Sequence, residues 1–352
     1  GDVYKRQVLD RMLIEDFLKR VGSKLTHDEI MHMPMSELGW QMQIIGGSPE
    51  DLHPKNVGLL LFSQDPEKYF PYSRIEIVHF FDEVGDRFTE KILHGPIHLQ
   101  LEAALKYIRE QVLMEKVIKV RGEAEAVRCY NYPYGALEEI LANAVFHKSW
   151  DDRNPIEVRI NHNSIEILNF EGPMPPITNA DLQKPRVISR NYRNRRIGDF
   201  LKELHLTEGR STGFPKIYQA VKQNNSPMPM FETDERNMHF LATMPIHQAF
   251  IDEKAYLASI GKELYEGGKK DDDFGKDFPK DFPIEISERQ QFILRLIHAD
   301  CAITSEKISE KISEKKPISA RTIETDISKL KEMGILAREG GRKGGRWVII
   351  KK

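Results

Sequence analysis

The chain has 352 residues, 40% of them hydrophobic and 30% charged, with a formal net charge of −2. That composition excludes a collagen-like or disordered chain and a uniformly basic nucleic-acid coat, and no run of 18 apolar residues offers a membrane span. The small net charge hides an asymmetry: Ile286 to Lys352 carry fifteen Lys and Arg against nine Asp and Glu, a surplus of +6, which leaves −8 on the rest.

Two or three compact domains are expected at this length, because single cores seldom grow past about 250 residues. Cys129 and Cys301 lie far apart and fit neither a disulfide framework nor a zinc site, so a reducing cytoplasm is the expected compartment. Asp2-Val3-Tyr4-Lys5-Arg6-Gln7 resembles the translation of a transposase sequencing adapter. Residues 1–7 are therefore set aside from fold reasoning, and the native N-terminus is expected to lie upstream.

From Val8 to about Met114, helical and strand signals alternate. Ile14 to Val21 has helical apolar spacing, Asn56 to Phe62 is a short apolar run, and Arg74 to Phe80 alternates like a strand. Gly95-Pro96 opens a helical stretch through Leu101, Leu105 and Ile108, and Lys116 to Val120 reads as a strand.

Tyr132 to Pro245 is better defined. A helix is predicted over Tyr134 to His147, strands over Ile156 to Ile160 and Ser164 to Leu168 around a polar turn, helices near Ile197 to Leu204 and Phe214 to Lys222, and a closing strand over Met238 to Met244. On the first helix Leu137, Leu141, Ala144 and Val145 make an apolar stripe. Glu139, Asn143 and His147 stand at i, i+4 and i+8 on an adjacent face. Asparagine is a poor helix former, so its place between two alanines asks for a reason. One reason is chemistry, since an amide oxygen can ligate magnesium beside a nucleotide while a carboxylate one turn away orients or deprotonates water. A surface polar stripe or a buried hydrogen-bonded pair would leave the same spacing.

Asn169-Phe170-Glu171-Gly172-Pro173 follows the second strand, and a polar residue at a strand end followed by Gly is how a base-recognition loop approaches a ligand. Thr207-Glu208-Gly209-Arg210-Ser211-Thr212-Gly213 feeds a helix with Pro215 near its start, and free amides at a helix N-terminus suit phosphate. Arg186, Arg190, Arg193, Arg195 and Arg196 can hold phosphate or nucleic acid, or make local ion pairs with Asp181, Asp199 and Glu203.

In this order the motifs resemble the GHKL (gyrase, chaperone, histidine-kinase and mismatch-repair) ATP-binding fold, in the branch related to the RecG helicase C-terminus. Glu139 to His147 is similar to that branch's N-box, Asn169 to Pro176 to its Asn-x-x-Gly-x-x-Pro-Pro loop, and Glu208 to Ile217 to its lid and following helix. Asn56 to Ile108 resembles the end of a Schlafen/AlbA-type domain. The resemblance implies ATP and Mg²⁺ as cofactors, with Glu139 as candidate general base and Asn143 as metal ligand. It implies cofactor contacts from Asn143, His147, Asn169, Gly172, Gly209, Ser211, Thr212 and Gly213. Asn169 stands where the fold usually has an adenine-binding aspartate, and the second glycine of the Asp-x-Gly-x-Gly pattern is not evident, so binding is expected ahead of fast hydrolysis. A helicase motor needs a Gly-x-x-x-x-Gly-Lys-Ser/Thr loop, which this sequence lacks.

Glu263 to Glu285 reads as a charged linker. Beyond it, Ser287 and Gln290 signal a capping box ahead of a helix. A second helix runs from Thr304 or Ser305 through Ile312, and Ser319 caps a third that ends at Gly334. A hairpin with a basic, glycine-rich tip follows. On the third helix Ile323, Ile327 and Leu330 form the buried stripe, leaving Arg321, Thr322, Thr325, Ser328 and Lys329 for base edges and phosphates, while Arg342, Lys343 and Arg346 on the tip suit the backbone. A protein-binding role for the same face is the competing reading. The segment is similar to winged-helix transcriptional regulators.

The expected fold class is α+β: a partial Schlafen/AlbA-like α/β segment over 8–115, a GHKL (Bergerat-type) α/β sandwich over 116–250, a helix and charged linker over 251–285, and a winged helix over 286–352. The expected function is an ATP- and DNA-binding regulator, with homodimerisation as a further expectation and no membrane partner. A Mg-dependent ATPase in nucleic-acid processing or phage defence, and an adaptor with a vestigial nucleotide site, are the alternatives.

Overall fold

The computed structural model describes residues 8–82, 84–184, 187, 192–207, 213–265, 286–313, 318–339 and 345–350. Two compact units divide the chain, Gly1–Tyr265 and Glu266–Lys352. Among the described residues, no helix is long and apolar enough to cross a membrane.

The first unit begins with α1 (Arg11–Arg20), capped by the Asp10 carboxylate, which accepts from the Met12 and Leu13 amides, and α2 (His27–His32), capped by a Thr26–Glu29 box. There follow α3 (Met35–Gln41), the hairpin of β1 (Ile45–Ser48) and β2 (Asp51–Pro54), and α4 (Asn56–Phe62). The apolar run at Asn56 to Phe62 is thus a helix, burying Val57, Leu60 and Leu61 at helical spacing.

Next come β3 (Ile75–Phe80), β4 (Phe88–Leu93), α5 (Ile97–Tyr107), β5 (Glu115–Ile118), β6 (Val127–Tyr130) and α6 (Tyr134–His147). They are followed by β7 (Ile156–Ile160), β8 (Ser164–Asn169), α7 (Asn179–Leu182), α8 (Arg195–Glu203), α9 (Gly213–Gln223), β9 (Met230–Glu232), β10 (Phe240–Pro245) and α10 (Glu253–Ser259).

Six strands form one mixed sheet in the order β4-β3-β7-β8-β10-β9, in which only the β3–β7 pair is parallel. Ile77, Val158, Ile167 and Ala242 stand opposite one another across four neighbouring strands and are all buried. Because side chains alternate along a strand, Ile165, Ile167 and Asn169 share one face of β8, which delivers the Asn169 amide to the buried side. One core runs from Leu9 to Ile246, so segments expected to be separate domains on either side of residue 115 contribute strands to one sheet and side chains to one core. A satellite core of Ile118, Val120, Cys129, Tyr256 and Leu257 joins the β5–β6 hairpin to α10.

The second unit contains α11 (Glu288–Ala299), α12 (Ser305–Ser313), α13 (Ala320–Glu332) and the antiparallel pair of β11 (Leu336–Glu339) and β12 (Arg346–Ile349). The Ser287–Gln290 capping box and the Ser319 cap form as expected, and Gly334 takes the positive φ of +70° that ends α13. Ile293, Ile297, Ile308, Ile323, Leu330 and Leu336 build its separate core.

Candidate functional site

Helix α6 is buried around most of its circumference, Glu139 included. Its polar residues therefore do not form a solvated stripe. Asn143 Nδ2 donates to Glu139 Oε1 at 3.2 Å, so the pair is hydrogen-bonded within the helix, and both side chains line a cavity. Burying a carboxylate costs free energy unless it is paired. Lys216 of α9 supplies a counter-charge, with Nζ 3.9 Å from Glu139 Oε2.

The second wall is the end of β8. Asn169 is 2% exposed, and its Nδ2 donates to the Ala144 carbonyl at 3.0 Å. That bond orients the amide. It leaves Oδ1 as a buried acceptor with no hydrogen-bond partner among the described residues, on a residue that lines the cavity. Gly172 follows on the loop, where a Cβ would lie 2.6 Å from the carbonyl oxygens of both Asn237 and His239. Only glycine lets this loop pass so close to the neighbouring backbone.

Arg193 ties the two walls together. Its guanidinium donates to His147 O at 2.8 Å, to Gly172 O at 3.3 Å and to Glu171 Oε2 at 3.3 Å. The sequence marks Arg193 only as one of five clustered arginines; the structure distinguishes it as the clamp between the end of α6 and the Asn169–Gly172 loop. Arg196 pairs with Asp199 at 3.1 Å, one of the local ion pairs anticipated from sequence, while Asp181 pairs with Lys184. Arg186 and Arg190 lie outside the described residues.

The third wall is α9. Gly213 is its first residue, and a Cβ there would lie 2.8 Å from Asn143 Nδ2 and 3.0 Å from Glu139 Oε1. The N-terminus of this eleven-residue helix, the positive end of its dipole, thus abuts the Glu139–Asn143 pair. Gly209, Ser211 and Thr212 lie outside the described residues.

Between these walls the cavity is mostly apolar, with Ile140, Ile177, Leu182, Phe214, Phe231 and Phe240 among its lining. His147 also lines it, near a stack in which Tyr192 lies 5.4 Å from Phe146 at 16°. Desolvation, reinforced by the Arg193 charge, pushes the His147 imidazole down to about 4, so it is neutral near pH 7. An apolar slot with the oriented Asn169 acceptor at its end suits a flat heteroaromatic ring bearing an amino group. Among the described residues no group of three or more His, Cys, Asp or Glu can hold a metal alone. The Glu139–Asn143 pair offers hard oxygen donors that suit an ion sharing its coordination with phosphate and water.

In the second unit, Arg321, Thr325, Ser328 and Lys329 are exposed on α13, opposite buried Ile323, Ile327 and Leu330, and Thr322 is half-buried. The Thr325 and Ser328 hydroxyls donate to the Arg321 and Glu324 carbonyls within the helix. Asp326 points inward and pairs with Arg289 of α11. Arg346 pairs with Glu339 across the hairpin at 3.2 Å, and Trp347 anchors it by donating Nε1–H to Ile303 O at 3.1 Å. Arg342 and Lys343 lie outside the described residues.

Residues 154–244 match the family model described as "Putative ATP-dependent DNA helicase recG C-terminal". The match takes in Asn169, Gly172, Arg193 and Gly213, and begins after the helix that carries Glu139 and Asn143. The matched segment supplies two of the cavity's three walls. None of the curated proteins matches the chain. Among solved structures, the chain is similar to the DIP2311 protein from Corynebacterium diphtheriae, at 16% identity and a TM-score of 0.49, over 97% of this chain and 61% of that one.

Proposed function

We propose that the first unit binds ATP with Mg²⁺, that the second binds DNA as a winged helix, and that nucleotide occupancy regulates the DNA contact, as in a transcriptional regulator working in the cytoplasm. The observation that carries the nucleotide reading is the unpartnered Asn169 Oδ1 in an apolar cavity. A buried acceptor left unsatisfied costs roughly 1–3 kcal/mol, and a ligand amino group in this slot recovers it. Adenine carries such a group at its 6-position, and Gly172 leaves the room for close approach. Asn143 would hold the magnesium, which supplies charge neutralisation for the phosphates. The amide-rich start of α9 would face those phosphates.

Calorimetric titration with Mg-ATP tests the reading. Wild-type protein is expected to bind, while Asn143→Ala and Asn169→Ala weaken binding about tenfold or more. Equal absence of binding in all three proteins sinks it. For the second unit, the +6 charge of residues 286–352 and the exposed Arg321 and Lys329 support DNA binding, with phosphate contacts that weaken as salt rises. A salt-dependent mobility shift that is lost in Arg321→Ala argues against the adaptor reading, in which the tail binds protein. Homodimerisation is a further route for nucleotide control, checked by sedimentation with and without Mg-ATP.

The buried Glu139, one turn from Asn143, also favours a hydrolytic reading in which its carboxylate accepts a proton from the attacking water. Steady phosphate release that vanishes in Glu139→Gln is the expected signature of a Mg-dependent ATPase.

A further inference from the structure

We infer that Lys216 makes the cavity select a nucleoside triphosphate over the corresponding diphosphate. The inference rests on the ATP reading above and assigns a role to a residue outside the motif positions read as cofactor contacts. Lys216 stands three residues after Gly213 on α9, which places both on one face of the helix. That face meets α6 where the Cβ missing from Gly213 would lie against Asn143 and Glu139. Four side-chain positions thus mark one spot: an amide, a carboxylate bonded to it at 3.2 Å, a glycine, and an ammonium 3.9 Å from the carboxylate.

The two partners of the ion pair differ in their access to water. The Glu139 side chain is 6% exposed and that of Lys216 is 41% exposed. The carboxylate is therefore fixed in place, while the lysine, on a flexible stem, can move its charge between neighbouring anions. Asn143 would hold the magnesium of a bound Mg-nucleotide here, and the ion would supply charge neutralisation for the outer phosphates beside the negative Glu139. The terminal phosphate of a triphosphate would raise the negative charge there, and Lys216 is a cation that the structure places against Glu139. Arg193, which lines the cavity, is committed to the His147 and Gly172 carbonyls and to Glu171. With a diphosphate the terminal group is missing and Lys216 stays with Glu139. Its contribution therefore falls on the triphosphate alone.

The test is a set of calorimetric titrations of the full chain with Mg-ATP and with Mg-ADP, for wild type, Lys216→Met and Lys216→Arg. Wild type is expected to prefer Mg-ATP by about tenfold or more, Lys216→Met to lose most of that preference with its Mg-ADP affinity within about twofold of wild type, and Lys216→Arg to keep part of it. A wild type with no preference, or a Lys216→Met protein that retains the wild-type ratio, overturns the inference while leaving the ATP reading intact. Absence of binding by wild type to either nucleotide overturns both. Melting curves establish that each variant is folded, and Lys216→Gln replaces Lys216→Met if the latter is not.

Discussion

Lys148, the residue after α6, has no exposed surface, and its ammonium donates to the Asn154 carbonyl and lies 5.7 Å from the centre of the Trp150 ring. Burial pushes its pKa down to about 8, a push that Asp152 opposes and Arg193 reinforces. An unfolded lysine titrates near 10.4, so between about pH 8 and pH 10.4 the unfolded chain binds more protons than the native one, and native stability rises with pH across that window. Below about pH 8 the lysine is charged in both states and the full penalty applies. The expected gain on going from about pH 7.5 to pH 10.5 is about 3 kcal/mol, from 1.36 kcal/mol per pKa unit. Urea unfolding of wild type and Lys148→Met across this range should give curves that converge in the alkaline limb, because the methionine protein lacks this titration. Parallel curves would show that Lys148 does not titrate in the native state as its burial requires.

Gly172 makes a sharper residue-scale prediction, because the atoms its Cβ would meet are backbone carbonyl oxygens, which cannot rotate away. Gly172→Ala should lower stability by about 1–3 kcal/mol, the usual cost of overpacking, and weaken Mg-ATP binding in the same protein. A melting temperature equal to wild type would mean that the loop relaxes freely and does not hold its position against Asn237 and His239.

At the scale of elements, what could be read from the sequence follows from what each element buries. Helix α6 and strands β7 and β8 lie within a residue of their predicted limits, the strands because burial alternates along them and α6 because its long, mostly apolar run is buried around most of its circumference. Strand β4 was not legible: five of its six residues are exposed, so Phe88 to Leu93 carries no one-sided pattern, and its place at the sheet edge comes from pairing with β3. Strand β9 is three residues long and buries only Phe231. The site divides in the same way. The Glu139–Asn143 pair was legible because both members sit on one helix, whereas the approach of Lys216 to Glu139 and of Arg193 to the end of α6 depends on how distant elements pack.

That packing is itself testable. A Cβ at Gly198 of α8 would lie 2.5 Å from the ring of Phe146 on α6, so the two helices approach as closely as they do because Gly198 has no side chain. Gly198→Ala is expected to cost about 1–3 kcal/mol by driving Phe146 toward Tyr192 and the cavity. Combining it with Phe146→Leu should restore part of the loss, with a coupling of roughly 0.5 kcal/mol or more in a double-mutant cycle read by urea unfolding. Strict additivity of the two changes would mean that the helices adjust by moving apart.

At the scale of the whole molecule, the proposed regulation is a statement about linkage between two units with separate cores. If Mg-ATP changes the affinity of the second unit for DNA by some factor, DNA must change the affinity for Mg-ATP by the same factor, because both routes lead to the same doubly bound state. Couplings of this kind typically run to about 1–3 kcal/mol, roughly 5- to 150-fold. The expected result is therefore a pair of equal ratios, the DNA dissociation constant with and without saturating Mg-ATP, and the Mg-ATP constant with and without saturating DNA. A protease site placed within residues 266–285 supplies the control. Cleavage there should bring both ratios to one while each separated core keeps its own affinity, since an effect carried by the chain between the two cores cannot survive cutting it. If Mg-ATP leaves DNA affinity unchanged in the intact chain, nucleotide and DNA binding are independent properties of one polypeptide, and the regulator reading gives way to the ATPase or the adaptor.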